Sequence, residues 1–373
     1  DNQATFNTRL YEYKGQAYLP APTIIMTPGQ ACSVEIVNML DSEPCDHHGN
    51  GFLCGDTTNL HTHGIHVSPF EDDINVTITT GESHTYTYTL APEHVMGTHW
   101  YHAHWHGSTT LQVMGGLAGA LLVETPEESP IPRPWQDLYD EAVVLFFNHF
   151  KFDENTEGAP DGFKLFNFQE LSAAYEEEGL MDPNVRVEGA SHFYSVNGLY
   201  QPTHTIRAGD IQIFRIIHGV GAFWIEVSMS TPDCTMTILA RDGIAHEGEL
   251  DVLETFVMVP GTRTDVAIQC DLSVAGQVVS MTAMNTTTNT EQMGQNQWVQ
   301  DTLLFLDVVA AQPEQMKPFP QEEFVLPEYL HSLLGDEVVV TPSLVTDITF
   351  QGHDRMNNVA FPGFSEPWGP WLD

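Results

Sequence analysis

Cationic residues are scarce in this sequence of 373 residues: 12 lysines and arginines stand against 51 aspartates and glutamates, a formal charge of −39. A chain so acidic repels phosphate backbones and anionic lipid headgroups, which argues against nucleic acid and anionic membranes as partners. It draws cations towards its surface instead, although the charge is spread along the whole chain. Long apolar runs are missing as well. A bilayer-spanning helix needs about 18 or more consecutive apolar residues, and no such stretch occurs. The sequence opens at Asp1 without methionine or a signal-like apolar segment, as a processed, mature chain would. Cysteine is sparse, five in all, and no two stand in a Cys-x-x-Cys pair.

What is present suits packed cores. Hydrophobic residues make up 42% of the chain, and its length suggests two or three domains. Three cysteines lie in the first third (Cys32, Cys45, Cys54) and two further on (Cys234, Cys270), so one stays unpaired if the others bridge within the chain. Cys45 and Cys54 flank a loop that reads as disulfide-closed, while Cys45, His47, His48 and Cys54 also form a candidate metal set. Asn75-Val-Thr77 and Asn285-Thr-Thr287 fit the short acceptor pattern for N-glycosylation in a secreted eukaryotic protein.

Short strands punctuated by turns dominate. Residues 33–39, the strictly alternating 84–90 and 117–123 read as strands of a first β-sandwich ending near residue 125. A proline-rich, acidic segment over 126–140 reads as a semi-rigid surface linker. A second β domain, 141–312, follows with strands near 141–147, 195–202, 206–217 and 236–266, and helical spacing over 167–181 marks an inserted helix. Residues 313–340 connect onwards through a short helix over 327–335, with proline in its first turn and glycine at its end.

Chemistry concentrates at two His-x-His pairs, His61-Thr-His63-Gly64 and His102-Ala-His104. On a strand, side chains two apart point the same way, about 6 to 7 Å apart, so four imidazoles can converge on one cavity. Neutral imidazoles on rigid strands suit copper, zinc, iron or nickel. His204, His218 and His246 stand singly and read as structural or surface residues, and Met281 and Met284 read as strand packing rather than soft metal ligands.

His61-Thr-His63-Gly64 and Gly97-Thr-His-Trp-Tyr-His102-Ala-His104, followed by Gln112 and Met114-Gly-Gly-Leu-Ala-Gly-Ala-Leu-Leu-Val123, resemble the first two copper motifs of the multicopper oxidases. The resemblance implies an all-β fold of tandem cupredoxin-like Greek-key sandwiches with short helical insertions. It implies copper at type 2 and type 3 positions of a trinuclear cluster, with His61 as type 2 ligand and His63, His102 and His104 as type 3 ligands. His106 falls where several members carry a histidine that is not a ligand, and Asp72 or Asp73 matches an acid near the type 2 copper that relays protons. Val196-Asn-Gly198, Arg207-Ala-Gly209, Ala240-Arg-Asp-Gly243 and Pro260-Gly-Thr-Arg-Thr-Asp-Val266 resemble the copper-free middle domain of three-domain members, and 341–373 resembles the opening strands of the third.

Two family features do not occur in this sequence. There is no His-Cys-His, which carries the type 1 thiolate, and no third-domain His-x-x-His-x-His, so half of the trinuclear ligand set is missing. Ala103 also stands where a two-domain copper nitrite reductase has its type 1 cysteine, and a methyl group cannot bind copper. The expectation is an oxidase half, oxidising a phenolic or metal-ion substrate with reduction of dioxygen to water, in an extracellular or periplasmic setting. A third cupredoxin domain, cleaved off or on a companion chain, completes it by docking on the histidine face, with Trp100 and Trp105 partly exposed in its absence. The contrasting expectation is a non-catalytic copper-binding scaffold.

Overall fold

The computed structural model describes residues 8–41, 55–125, 132–153, 164–165, 190–221, 224–246, 248, 250–285 and 301–312, with short pieces between 316 and 360. In the first domain a hairpin of β1 (Tyr11–Tyr13) and β2 (Gln16–Tyr18) precedes β3 (Ala21–Met26), β4 (Ala31–Val37), β5 (His61–His63), β6 (Ser83–Thr89) and β7 (Gly97–His102). Helix α1 (Thr109–Gly115) and strand β8 (Ala118–Val123) complete it. Strands pair in the order β3-β8-β7-β5 in one sheet and β4-β6 in another. The Thr-Tyr alternation of β6 suits a half-buried strand: Tyr86 and Tyr88 enter the core with Leu60, Tyr101 and Leu121 while the threonines face out. Helix α1 ends on Gly116, whose φ of 113° is the left-handed cap that glycine adopts without a Cβ penalty.

The second domain runs through β9 (Val143–Asp153), β10 (Lys164–Leu165), β11 (Ala190–Val196), β12 (Thr203–Arg207), β13 (Ile211–His218), β14 (Ile225–Met229) and β15 (Cys234–Arg241). It continues with β16 (Ile244–Ala245), β17 (Val252–Leu253), β18 (Thr255–Met258), β19 (Arg263–Cys270), β20 (Gln277–Asn285) and β21 (Asp301–Val309). One sheet follows the order β10-β9-β13-β19-β15-β16, with β11 on β9 and β17 on β15, and the other is β12-β21-β20-β14-β18. Phe147, Phe214, Val227, Met281 and Leu306 fill the space between them. Cys234 and Cys270 occupy paired positions on β15 and β19 and form a disulfide, whereas Cys32 is a free thiol.

The stretch expected as a surface linker differs. Residues Arg133–Tyr139 form helix α2, and Trp135 is fully buried between Phe319 and Phe324 with its indole N–H donating to the Glu322 carbonyl at 2.8 Å. Proline in a first helical turn forfeits only an N–H that has no intrahelical partner, so the same prolines that suggested a linker start a helix. The expected helices over 167–181 and 327–335 and the Cys45–Cys54 loop lie outside the described residues. Of 341–373, only three paired two-residue strands are described.

The outer face of the four-stranded sheet of the first domain sets the architecture of the site. There Trp100 on β7 and Ala118 and Ala120 on β8 pack against Phe146 and Ile217 of the second domain, so both faces of β7 are buried. Strand β5, at the edge of that sheet, is only partly covered.

Candidate metal centre

Register brings the histidines together. His61 pairs with His102, and His63 with Trp100, across the antiparallel strands β5 and β7. Side chains of paired residues share a face, so both imidazoles of β5, the indole and His102 project on the same side, away from the sandwich core that Tyr101 enters. His104 follows just beyond β7, its backbone N–H donating to the Asn59 side chain at 2.7 Å, and Asn59 in turn donates to the Ile74 carbonyl. Gln112 of α1 clamps the approach to β5 by donating to the carbonyls of Gly55 and Thr57 and accepting from the Thr58 hydroxyl.

The ring of His61 lies 5.6, 5.1 and 5.0 Å from those of His63, His102 and His104. One nitrogen from each of His61, His63 and His102 falls within 4.8 Å of the others, the spacing of groups that can share metal ions. Nδ1 of His63 and Nε2 of His102 approach to 3.3 Å. Because His102 Nδ1–H donates to the Ala103 carbonyl at 2.9 Å, its Nε2 is the lone-pair nitrogen and faces the cluster. Trp100 backs the pair, its indole centroid 4.2 Å from His102 and 5.2 Å from His63.

Burial keeps the rings of His63, His102 and His104 neutral. Burial pushes His63 down to about 3, with the Arg263 guanidinium and the neighbouring rings adding to the effect, and burial likewise holds His102 well below and His104 below the ordinary histidine value. Neutral imidazoles are the form that binds transition metals, so the donor set fits copper.

Asp72 and Asp73 separate cleanly. Asp72 Oδ2 sits 2.6 Å from His61 Nδ1, and its Oδ1 accepts from the Thr62 N–H at 2.8 Å and the Thr62 hydroxyl at 2.9 Å. Burial pushes the Asp72 carboxyl up, but the His61 hydrogen bond and charge together with the Thr62 donors outweigh it and leave the pKa below the usual carboxylate value. Asp73 turns away to accept from the backbone and side chain of Asn75, so of the two acids only Asp72 meets the histidines.

Two expectations are corrected. Trp100 and Trp105 are 3% and 9% exposed, because the second domain covers the first and the Trp105 N–H is tucked against the Thr77 hydroxyl at 3.2 Å. Met281 is core, but Met284, three residues on along β20, is 39% exposed. His218 is buried with Nδ1–H donating to the Val259 carbonyl, His204 packs edge-on against Phe214, and His246 lies 3.5 Å from Asp251. Sequence reasoning missed Thr98, Arg215, Arg263 and Asp265, which join the domains beneath β7. Thr98 donates to Asp265 at 2.5 Å, accepts from Arg215 Nε at 2.7 Å and, through its carbonyl, from Arg263 Nε at 3.2 Å. Only the motif around Arg263 gave a sequence signal, and that signal concerned the fold.

Two β-sandwiches with a cluster of imidazoles on the outer face of one sheet define a cupredoxin-type fold whose donor set fits a transition metal. Residues 7–128, the first domain, match the family model for multicopper oxidases. Members of that family bind copper. Laccase-1 of Thanatephorus cucumeris is 22% identical over 259 residues, covering 68% of this chain and 40% of the relative. Copper resistance protein A of Pseudomonas syringae pv. tomato is 24% identical over 331 residues, covering 81% of this chain and 48% of the relative. The chain thus spans less than half the length of these relatives. Among solved structures, the McoA multicopper oxidase 2F4 variant of Aquifex aeolicus superposes with a TM-score of 0.60 at 17% identity, covering 84% of this chain and 60% of the other. A metallo-oxidase of Campylobacter jejuni does so with a TM-score of 0.58 at 18% identity, covering 84% and 57%. At these identities the superpositions speak for the fold.

Proposed function

We propose that this chain supplies the first-domain half of a trinuclear copper site in an oxidase that takes electrons from a phenolic or metal-ion substrate and reduces dioxygen to water. The observation that carries the reading is the convergence of four imidazoles on one sheet face, with His61 backed by a partly buried carboxylate. His61 takes a type 2 position, and His63, His102 and His104 take type 3 positions. Bound copper supplies the one-electron redox chemistry and the affinity for oxygen that no side chain here possesses. Asp72 holds His61 through Nδ1, leaving Nε2 for the metal, and as a carboxylate beside the site it is the group here that can pass a proton. Trp100 and the second domain exclude water behind His63 and His102.

Four histidines do not satisfy three coppers that also bind oxygen, so a further cupredoxin domain completes the ligand set and carries the type 1 copper. It docks over β5, the partly covered edge of the site, and the assembly works outside the cytoplasm. The second reading, a copper-binding protein without turnover, draws on the relationship to copper resistance protein A. Copper loading followed by oxygen-uptake measurements, with and without a candidate third domain, separates them. Sustained uptake only in the assembled state supports the oxidase, and bound copper with no uptake in either state supports the second reading.

A further inference from the structure

The second domain holds no cluster of metal-binding side chains among the described residues, yet one of its side chains bonds to β7 and lies against the residue that follows β5. Arg263, at the start of β19, is 4% exposed, and its guanidinium is stretched over groups of both domains. Nε–H donates to the Thr98 carbonyl on β7 at 3.2 Å, Nη1–H to the Gly261 carbonyl at 3.0 Å, and Nη2–H to the Asp242 carbonyl at 2.9 Å. Nη1 also lies 3.1 Å from the Asp242 carboxylate, which accepts from the Arg263 backbone N–H as well. The planar fork is therefore fixed from its own domain on two sides, which leaves it rigid where it meets the first domain.

Two glycines show how close the contact is. Gly64, directly after His63, has a φ of 102°, and a Cβ built on it would run into Arg263 Nη2 and His99 Nδ1. On the other side of the guanidinium, a Cβ on Gly261 would lie 3.2 Å from His63 Cε1 and 3.5 Å from the Trp100 ring. Backbone and guanidinium of the second domain thus press on the residue after His63, on the His63 ring and on the strand that leads to His102. Arg215 and Asp265 secure the Thr98 side chain from the same side.

We infer that Arg263 is a positioning residue for the metal centre: it braces β7 and the turn that follows β5, and hence the His63 ring against His102, from a domain with no ligand cluster among its described residues. The inference rests on the copper reading of the four histidines, and its test is arranged so that the two fail separately. Hydrogen exchange of the metal-free 373-residue chain is measured for the wild type, Arg263→Ala and Arg263→Lys, with Ile217→Val as a control that removes one methyl from the apolar domain contact beside Arg263 and keeps every hydrogen-bond partner of the guanidinium. In Arg263→Ala, amides of β5 and of Trp100 to His102 exchange faster while β4 and β6 keep their protection. Arg263→Lys, which keeps the cation and most of the stem, is the milder variant and shows the same pattern more weakly, because one ammonium cannot reach all three carbonyls.

Copper(II) is then added. Affinity measured by chelator competition falls roughly 10- to 100-fold in Arg263→Ala, the range for losing a group that orients ligands. The copper(II) paramagnetic resonance spectrum broadens, and added guanidinium ion restores part of both. Ile217→Val leaves affinity and spectrum as in the wild type. Unchanged exchange on β5 and β7 in Arg263→Ala overturns the inference whether or not copper binds, and so does an equal effect from Ile217→Val. Wild-type protein that takes up no copper sinks the copper reading alone, since the exchange measurement stands without metal.

Discussion

His102 is buried with its tautomer set by the Ala103 carbonyl, so its single free nitrogen has one direction to point, towards His63 and His61. Removing it leaves a neighbouring metal position short of a ligand that no nearby group replaces. His102→Ala is expected to lower bound copper by one equivalent or to weaken it by more than about tenfold, and metal analysis after gel filtration checks this. Asp72 and Asp73 offer a sharper contrast, since adjacent acids meet different neighbours. Asp72→Asn should weaken the His61 copper position by roughly 10- to 100-fold and slow oxygen uptake in the assembled oxidase, while Asp73→Asn leaves both unchanged. Titration with copper of the two single variants distinguishes them, and equal behaviour would remove Asp72 from the account.

At the scale of elements, the strands of the first domain and both His-x-His pairs were legible because period-two alternation and histidine spacing are local signals. β6 is the clearest case, its tyrosines in and threonines out. Helix α2 was not legible, because its prolines suit a linker as well as a first turn, and the burial of Trp135 depends on Phe319 and Phe324 almost two hundred residues away. Nor was the choice between Asp72 and Asp73, since a one-residue shift in a loop decides which carboxylate meets His61. Two consequences belong here. Trp135→Ala should destabilise the chain by about 3 to 5 kcal/mol in chemical denaturation, as expected for emptying a buried indole site. Gly64→Ala meets both a left-handed backbone and the Arg263 guanidinium, so it should cost more than the 1 to 3 kcal/mol typical of strained φ alone and should weaken copper binding with it.

The whole molecule gathers buried neutral histidines, and that sets its response to acid. His218 is fully enclosed and held at about 4 by burial, against 6.5 for a free histidine, although its bond to Val259 acts in the opposite sense. Between those values the unfolded chain binds a proton that the folded chain refuses, so stability falls as pH drops from 6.5 towards 4, by up to about 1.4 kcal/mol per pH unit for each such group. His94 and His99 are lowered by burial as well and add to the slope. His218→Asn, whose amide can still donate to Val259, should flatten the dependence of metal-free stability on pH across that window. Denaturant titrations at a series of pH values show it, and an unaltered slope would mean that His218 does not titrate as its burial requires.

The central claim is that His61, His63, His102 and His104 hold copper without a type 1 site in this chain. Its most direct test is to load the purified 373-residue chain with copper and record absorption, paramagnetic resonance and oxygen uptake beside a variant with all four histidines changed to alanine. The account predicts copper bound through nitrogen ligands in the wild type and lost in the variant, with no intense blue band and no sustained oxygen uptake until a further cupredoxin domain is supplied. A blue, copper-thiolate spectrum, turnover by the chain alone, or copper retained equally by the four-alanine variant would contradict it.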